Sequence, residues 1–308
     1  MSHIAKLLLA AACATVALTA CGSTPSVNPA GETAPSYPTQ DVVSGIKTDP
    51  ALHAELPSSV QSGGSLALGT TVDPGVSSLP HDGVVNNKEI GLDADLRDAI
   101  AAVLGIKWVE QNGTFDTIVP GVQNGKYDVG EDNFGVTKAR EQVVDFATYL
   151  ADGQSFLGPV SGSLSSVHTL TDLCGLTVAT SPGTTFQQIL TDGASKCAAT
   201  GRKPYTVQLF STSAPIWLGL ANGKIDVYFG PTLGLKYDVD HEPNVKFLGQ
   251  VSSTPVGLIT AKNSPLTKPL ADAINELIRD GAYAKILAKW GVTSSGVPQS
   301  LINPTASF

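Results

Sequence analysis

Two periodicities alternate along this chain. Apolar residues at 92, 96, 99, 100, 103 and 104 recur at helical spacing and stop at Gly105, which predicts a helix over 92–104. Short apolar runs bounded by Gly, Asn or Asp predict strands at 65–71, 107–110, 127–130, 205–209 and 225–229. Further helical runs fall at 115–122, 186–190, 214–220, 266–277 and 283–290, the last two amphipathic. Strand and helix take turns, so the fold class is α/β, with mainly parallel sheet and right-handed crossovers.

One unit of this pattern occurs twice. Val122-Gln-Asn-Gly-Lys-Tyr-Asp-Val-Gly130 is echoed by Leu220-Ala-Asn-Gly-Lys-Ile-Asp-Val227, each after an apolar segment of helical length. Two similar helix-turn-strand units imply two similar lobes, and ligands of open α/β sheets bind at the carboxyl ends of strands, so the lobes are expected to enclose a cleft. Extended chain at 149–160 leaves the first lobe, with a hinge crossing at 156–160, and 256–260 returns across it. The expected division is 63–158 plus 257–308 for the first lobe and 159–256 for the second. The Ser- and Pro-rich tail from 293 to 308 is expected to be loosely ordered.

The start of the chain is different in kind. Lys6 precedes an uncharged run over 7–20, the size of a signal-peptide core and too short to span a bilayer stably, so 1–20 is expected to be removed together with Cys13. Leu18-Thr-Ala-Cys21 resembles a bacterial lipobox, which implies acylation of the Cys21 sulfur and a membrane anchor; several acyl chains are needed for stable anchoring. Residues 21–62 are rich in Ser, Pro, Thr and Gly and read as the lipidated Cys and a flexible tether, with a short helix at 50–60. Cys174 and Cys197 are the cysteines left in the body; they form a disulfide, which an extracytoplasmic setting permits, or remain reduced core thiols.

Composition narrows the function. The 308 residues, 42% hydrophobic, can hold real cores, while a net charge of -8 and a pI near 5.0 argue against nucleic acid as a partner. The histidines at 3, 53, 81, 168 and 241 never fall at metal-ligand spacing, and no cofactor is expected. There is no Gly-x-Ser-x-Gly elbow, no Cys-His pair and no Gly-x-Gly-x-x-Gly after a strand, so binding is favoured over catalysis. The richest stretch is 124–140, a strand exit that holds Gly135 and runs into Thr137, a helix cap, and Arg140. Backbone N–H groups beside a planar guanidinium suit a carboxylate. The helix opened by Gly183-Thr184-Thr185 offers free N–H groups to the same kind of ligand.

An ordered set of segments carries a family resemblance: Gly91-Leu-Asp-Ala-Asp-Leu, Phe115-Asp-Thr-Ile-Val-Pro-Gly-Val-Gln-Asn-Gly-Lys-Tyr-Asp, Thr137-Lys-Ala-Arg-Glu-Gln-Val-Val-Asp-Phe-Ala-Thr-Tyr149, Asp172-Leu-Cys-Gly-Leu-Thr-Val and Asp280-Gly-Ala-Tyr-Ala-Lys-Ile-Leu-Ala-Lys-Trp-Gly-Val292. Together they resemble the polar amino-acid family of ABC-importer solute-binding proteins. The resemblance implies a two-lobed periplasmic-binding-protein-like fold of type II with a hinge. It also implies a small carboxylated, amino-acid-like solute, delivery to an ABC permease and its ATPase, a location outside the cytoplasmic membrane, and a monomer. By the same resemblance Arg140 holds the ligand carboxylate with Thr137, the Gly135 backbone, Thr184 and Thr185, and Phe115 packs on the ligand. Asp132, Asn133 and Thr232 complete the expected ligand-binding set.

The departures from that family matter for the ligand. Pro231 stands where an acid usually takes the ligand's ammonium, and it has neither acceptor side chain nor N–H. Glu131 and Asp132 are new acids, Gly135 replaces a hydroxyl residue, and the loop 72–78 lacks the family's aromatic. A cation is then read by Asp132 from the first lobe, or the ligand is not an α-amino acid. Cyclohexadienyl dehydratases and some lytic transglycosylases resemble the same proteins, so an enzyme using Glu131 or Asp132 as acid is the competing reading, with a ligand-sensing receptor module as a third.

Overall fold

The computed structural model describes residues 37–306. The leader 1–20, Cys13, Cys21 and the first part of the expected tether lie outside the described residues. In chain order the elements are α1 (Pro50–Ala54), α2 (Ser58–Gly63), β1 (Ser65–Thr70), β2 (Gly83–Val85), β3 (Lys88–Ile90), α3 (Leu92–Leu104), β4 (Lys107–Asn112), α4 (Phe115–Gln123), β5 (Val129–Gly135), α5 (Lys138–Glu141) and β6 (Val144–Pro159). They continue with β7 (Thr177–Thr180), α6 (Thr185–Asp192), α7 (Lys196–Ala199), β8 (Thr206–Leu209), α8 (Ala214–Ala221), β9 (Val227–Pro231), α9 (Thr232–His241), β10 (Val245–Ala261), α10 (Thr267–Arg279) and α11 (Ala282–Lys289).

The strands lie in the order β4-β1-β5-β10-β6-β9-β7-β8. β1 pairs in parallel with β4 and β5, and β7 in parallel with β8 and β9, whereas β6 and β10 run antiparallel to each other and to β9 and β5. Each parallel set thus belongs to one lobe, and the two long antiparallel strands pass between them. Burial follows the same division. Leu66, Leu68, Leu96, Ile100, Leu270 and Ile274 gather in one core, and Phe156, Val178, Leu190, Val227 and Phe229 in another. Where β6 and β10 cross between these cores their side chains turn polar and bond to each other: the Ser252 hydroxyl donates to Gln154 Oε1 at 2.6 Å, and the Gln154 amide to Thr254 Oγ1 at 3.3 Å.

Helix α3 shows why the apolar period sufficed. Leu92, Leu96, Ala99, Ile100, Val103 and Leu104 are all buried, and Gly105 ends the helix at φ 66°, a left-handed cap that favours glycine. β10 is far longer than the expected 256–260, because its Gln250–Thr254 portion is polar and satisfied by β6, which no apolar run announces. Helix α9 follows Pro231 directly and was not legible, since its polar and apolar residues show little helical segregation.

Two expected unstructured segments are ordered. From residue 37 the tether folds onto the first lobe: Leu52 and Leu56 enter the core, Asp49 caps α1 through the Ala51 N–H at 2.7 Å, and His53 Nδ1 lies 2.7 Å from the Leu104 carbonyl. Its scattered apolar residues were enough because α3 and α10 already supply the surface they cover. The tail is also tied down. Beyond β10, the first half of β6 has a free edge, and Ile302 bridges it at Ala147; the Leu301 N–H donates to Thr148 Oγ1 at 2.9 Å and the Phe146 N–H to Asn303 Oδ1 at 2.8 Å. Cys174 and Cys197 form a disulfide within the second core.

Candidate ligand-binding site

A cavity of about 170 Å³ opens where the two lobes meet. Its walls are the exit of β5, the loop before β2, the N-terminus of α6, the polar crossing of β6, and the start of α9. Thr137 does not line it; its hydroxyl accepts from the Arg140 N–H at 3.1 Å and so starts the one-turn helix α5 that aims Arg140 back at β5. The Arg140 guanidinium donates to the Gly135 carbonyl at 2.9 Å and, from its other end, to the Gly183 carbonyl of the second lobe at 2.9 Å. It lies over the rings of Phe115 and Phe134, 5.3 and 5.5 Å from their centroids. Burial lowers its pKa to about 10, with Asp132 opposing, and among the described residues no carboxylate pairs with it.

Gly183 sits at φ 74°, and a Cβ there would come within 3.0 Å of Asp116, so glycine allows the lobes to approach at this point. Thr184 caps α6, accepting from the Gln187 N–H at 3.2 Å and donating to the Ser181 carbonyl at 2.7 Å. The unpaired first-turn N–H groups of α6 then share the cavity wall with Thr184, Thr185, Gly135 and Arg140. This end of the cavity thus carries a guanidinium and free backbone donors, and its charge is positive.

The opposite end is acidic. Asp132 alternates with Glu131 along β5, so the two side chains take opposite faces. Asp132 lines the cavity, accepts from Thr71 Oγ1 at 2.8 Å, and is pushed up to about 7 by burial, the Thr71 bond opposing. Glu131 faces away, fully buried, 3.3 Å from Arg97; burial holds its pKa well above the usual carboxylate range, with Asp93 adding and Arg97 opposing. Asn133 also lines the cavity and donates to Asp152 Oδ2 at 2.9 Å. Thr232 does not line it: its hydroxyl is buried against Ser155.

Several cavity residues carried no sequence signal that singled them out. Asp73, Asp82, Asp152 and Asp238 line the cavity with Asp132, against His81 and Arg140 as the basic groups. Asp152, on the polar crossing of β6, joins three elements: it accepts from His81 Nε2 at 3.1 Å, from Asn133, and from the Leu233 N–H of α9 at 3.2 Å. Burial alone would lower the His81 pKa, but Asp93, 3.3 Å from Nδ1, and Asp152 outweigh it and hold the ring well above its ordinary value. Asp73, Asp82, Asp132 and Asp238 line the cavity outside that ion pair, and of these Asp132 acts on the Arg140 guanidinium. Asp82 is raised well above the ordinary value by burial and by Asp132. Asp238 is pushed up to about 8 by burial and by Glu242. One hint lay in the sequence: Asp152-Gly-Gln-Ser155 interrupts an otherwise apolar strand, and a buried polar run needs a structural reason. Among the described residues no group of three or more His, Cys, Asp or Glu is placed to hold a metal ion, and no helix is long and apolar enough to cross a membrane.

The chain has a two-lobed α/β frame with a charged cavity where the lobes meet. Residues 76–293 match the model of the bacterial extracellular solute-binding proteins, family 3, and the chain belongs to that family. The arginine-binding protein ArgT of Corynebacterium glutamicum is 27% identical over 261 residues, covering 82% of this chain and 83% of that protein. An ancestral arginine-binding protein solved with arginine is 30% identical with a TM-score of 0.66, over 74% of this chain and 98% of that one. The ancestral amino acid-binding protein AncCDT-1, a precursor of cyclohexadienyl dehydratase, is 25% identical with a TM-score of 0.66, over 75% of this chain and 97% of that one. These relatives are named as amino-acid-binding proteins, and Glu131, buried against Arg97, is not placed to act on a ligand in the cavity.

Proposed function

We propose that this chain captures a basic amino acid of the arginine type outside the cytoplasmic membrane, as a monomer lipid-anchored through Cys21, and delivers it to an ABC permease and its ATPase. The observation that carries the reading is the charge layout of the cleft: one desolvated guanidinium without a carboxylate partner, Arg140, shares the cavity with four acids outside the His81–Asp152 pair. A ligand carboxylate between Arg140 and the start of α6 would complete the first end. Two positive groups on the ligand would draw these acids, which burial pushes toward the protonated form, into the ionised form, whereas a neutral or acidic side chain would have no charge to gain from them. Phe115 supplies an apolar flank. The arginine-binding relatives support the same choice.

Isothermal titration with L-arginine, L-lysine, L-glutamine and L-glutamate tests this. Arginine or lysine is expected to bind at least about 100-fold more tightly than glutamate, about 2.7 kcal/mol. Tighter binding of glutamate, or of glutamine over both basic amino acids, would reject the proposal.

A further inference from the structure

A second cavity, of about 660 Å³, adjoins the cleft, and Ser77, Trp217 and Asp238 line both. Beyond this shared wall it is bounded by Pro159 and Val160 at the end of β6, Leu220 and Ala221 at the end of α8, and Asn244 and Val245 at the start of β10. Asp238 as a whole residue is 4% exposed, and its carboxylate forms no hydrogen bond or ion pair among the described residues. Trp217 meets Tyr228 edge to face, centroids 6.5 Å apart. The Tyr228 hydroxyl is held well above its usual value by burial and by the charges of Asp238 and Asp73, one acid from each lobe. A carboxylate and an indole on one shared cavity wall attract an organic cation, since charge and ring quadrupole act together. Glu242, the residue that follows α9, extends the negative field into the second cavity, whose other walls are mostly apolar.

We propose that this second cavity is an extension of the ligand cleft, so that a basic ligand places its charged end at Trp217 and Asp238 and carries a substituent past them into the pocket beyond. The site then takes N-substituted guanidinium or similarly lengthened basic amino acids as well as the simple ones. This rests on the reading of the cleft as a basic amino-acid site. The physical reason is placement: the Arg140 end is closed by the contact of Arg140 with Gly183, while the wall that carries Trp217 and Asp238 is shared with the second cavity.

The test compares L-arginine with Nω-propyl-L-arginine by titration calorimetry on the wild type and on Ala221→Trp, which fills the side cavity from an exposed position outside the cleft. The wild type should bind both ligands within about tenfold of each other; Ala221→Trp should weaken the propyl ligand by about tenfold or more and change arginine by less than about twofold. Asn244→Trp, filling the cavity from another wall, should act in the same direction if the first variant fails to fold. A wild type that binds arginine and rejects the propyl ligand overturns this inference alone, as does a variant that changes both ligands equally or neither. A wild type that binds neither ligand overturns the basic amino-acid reading and this inference with it.

Discussion

Arg140 is fixed without being neutralised: two carbonyls and two aromatic faces position its guanidinium, and none of them carries a formal negative charge. Arg140→Ala should therefore cost several kcal/mol of binding, much of it from a ligand carboxylate left unpaired, as read by calorimetry with arginine. On the acidic side, Asp132→Asn should weaken arginine by about 2 to 5 kcal/mol, while Glu131→Gln, facing Arg97 behind the sheet, should change it by under about 1 kcal/mol and act on stability instead. Protonation gives a third expectation. Asp132 has a folded pKa raised to about 7, so between its ordinary value near 3.8 and about 7 the free folded protein binds this proton more tightly than the unfolded chain. Stability of the free protein should then fall as pH rises from about 4 to 7, and Asp82 and Glu131, raised for the same reason, should add to the slope. Arginine affinity should rise over the same range, because a cation selects the ionised carboxylate. Thermal unfolding and titration at pH 5.5 and 8 check both signs, and Asp132→Asn should flatten each profile in part.

Among the elements, β6 has the most demanding task, since it belongs to two cores and carries a polar crossing between them. Gly153 lies in that crossing, where a Cβ would run into Thr232 Oγ1 and the Gln250 amide. Gly153→Ala should displace α9, and with it Asp238 and the Leu233 N–H that holds Asp152, so arginine affinity should fall more than stability does. The tail covers the other free edge of β6. Truncation after Pro298 removes the bonds from Thr148, Phe146 and Asp145 to residues 301–303 and should lower unfolding stability by about 1 to 3 kcal/mol in a urea titration. The tail's composition gave no sign of this, because its role depends on an edge created far away in the chain. Helix α3 is the contrasting case: its apolar stripe and Gly105 stop are local, and its bounds in the fold are those that the period predicts.

At the scale of the whole molecule, the lipid anchor proposed at Cys21 belongs to a segment separate in sequence from every residue of the cleft. Cys21→Ser should release the protein from the membrane fraction and leave arginine affinity unchanged, measured by fractionation and calorimetry; an unacylated N-terminus on the membrane-bound wild type would remove the anchor from the account. The sequence by itself determined the alternation of strand and helix, the repeated unit that makes two lobes, and the Arg140 end of the cleft. Those features are written in local periodicity and in one compact stretch from Gly135 to Arg140. Only the tertiary structure decided the acidic end. Asp73, Asp152 and Asp238 sit on a loop, a crossing strand and a helix with no shared pattern, and they become one site because the two lobes close upon them. It also decided that Glu131 faces Arg97 and Asp132 the cleft, and that residues 37–62 and 293–306 belong to the folded body. The reason is physical: burial and charge proximity arise between residues far apart in the chain, so no reading of neighbours along it can supply them.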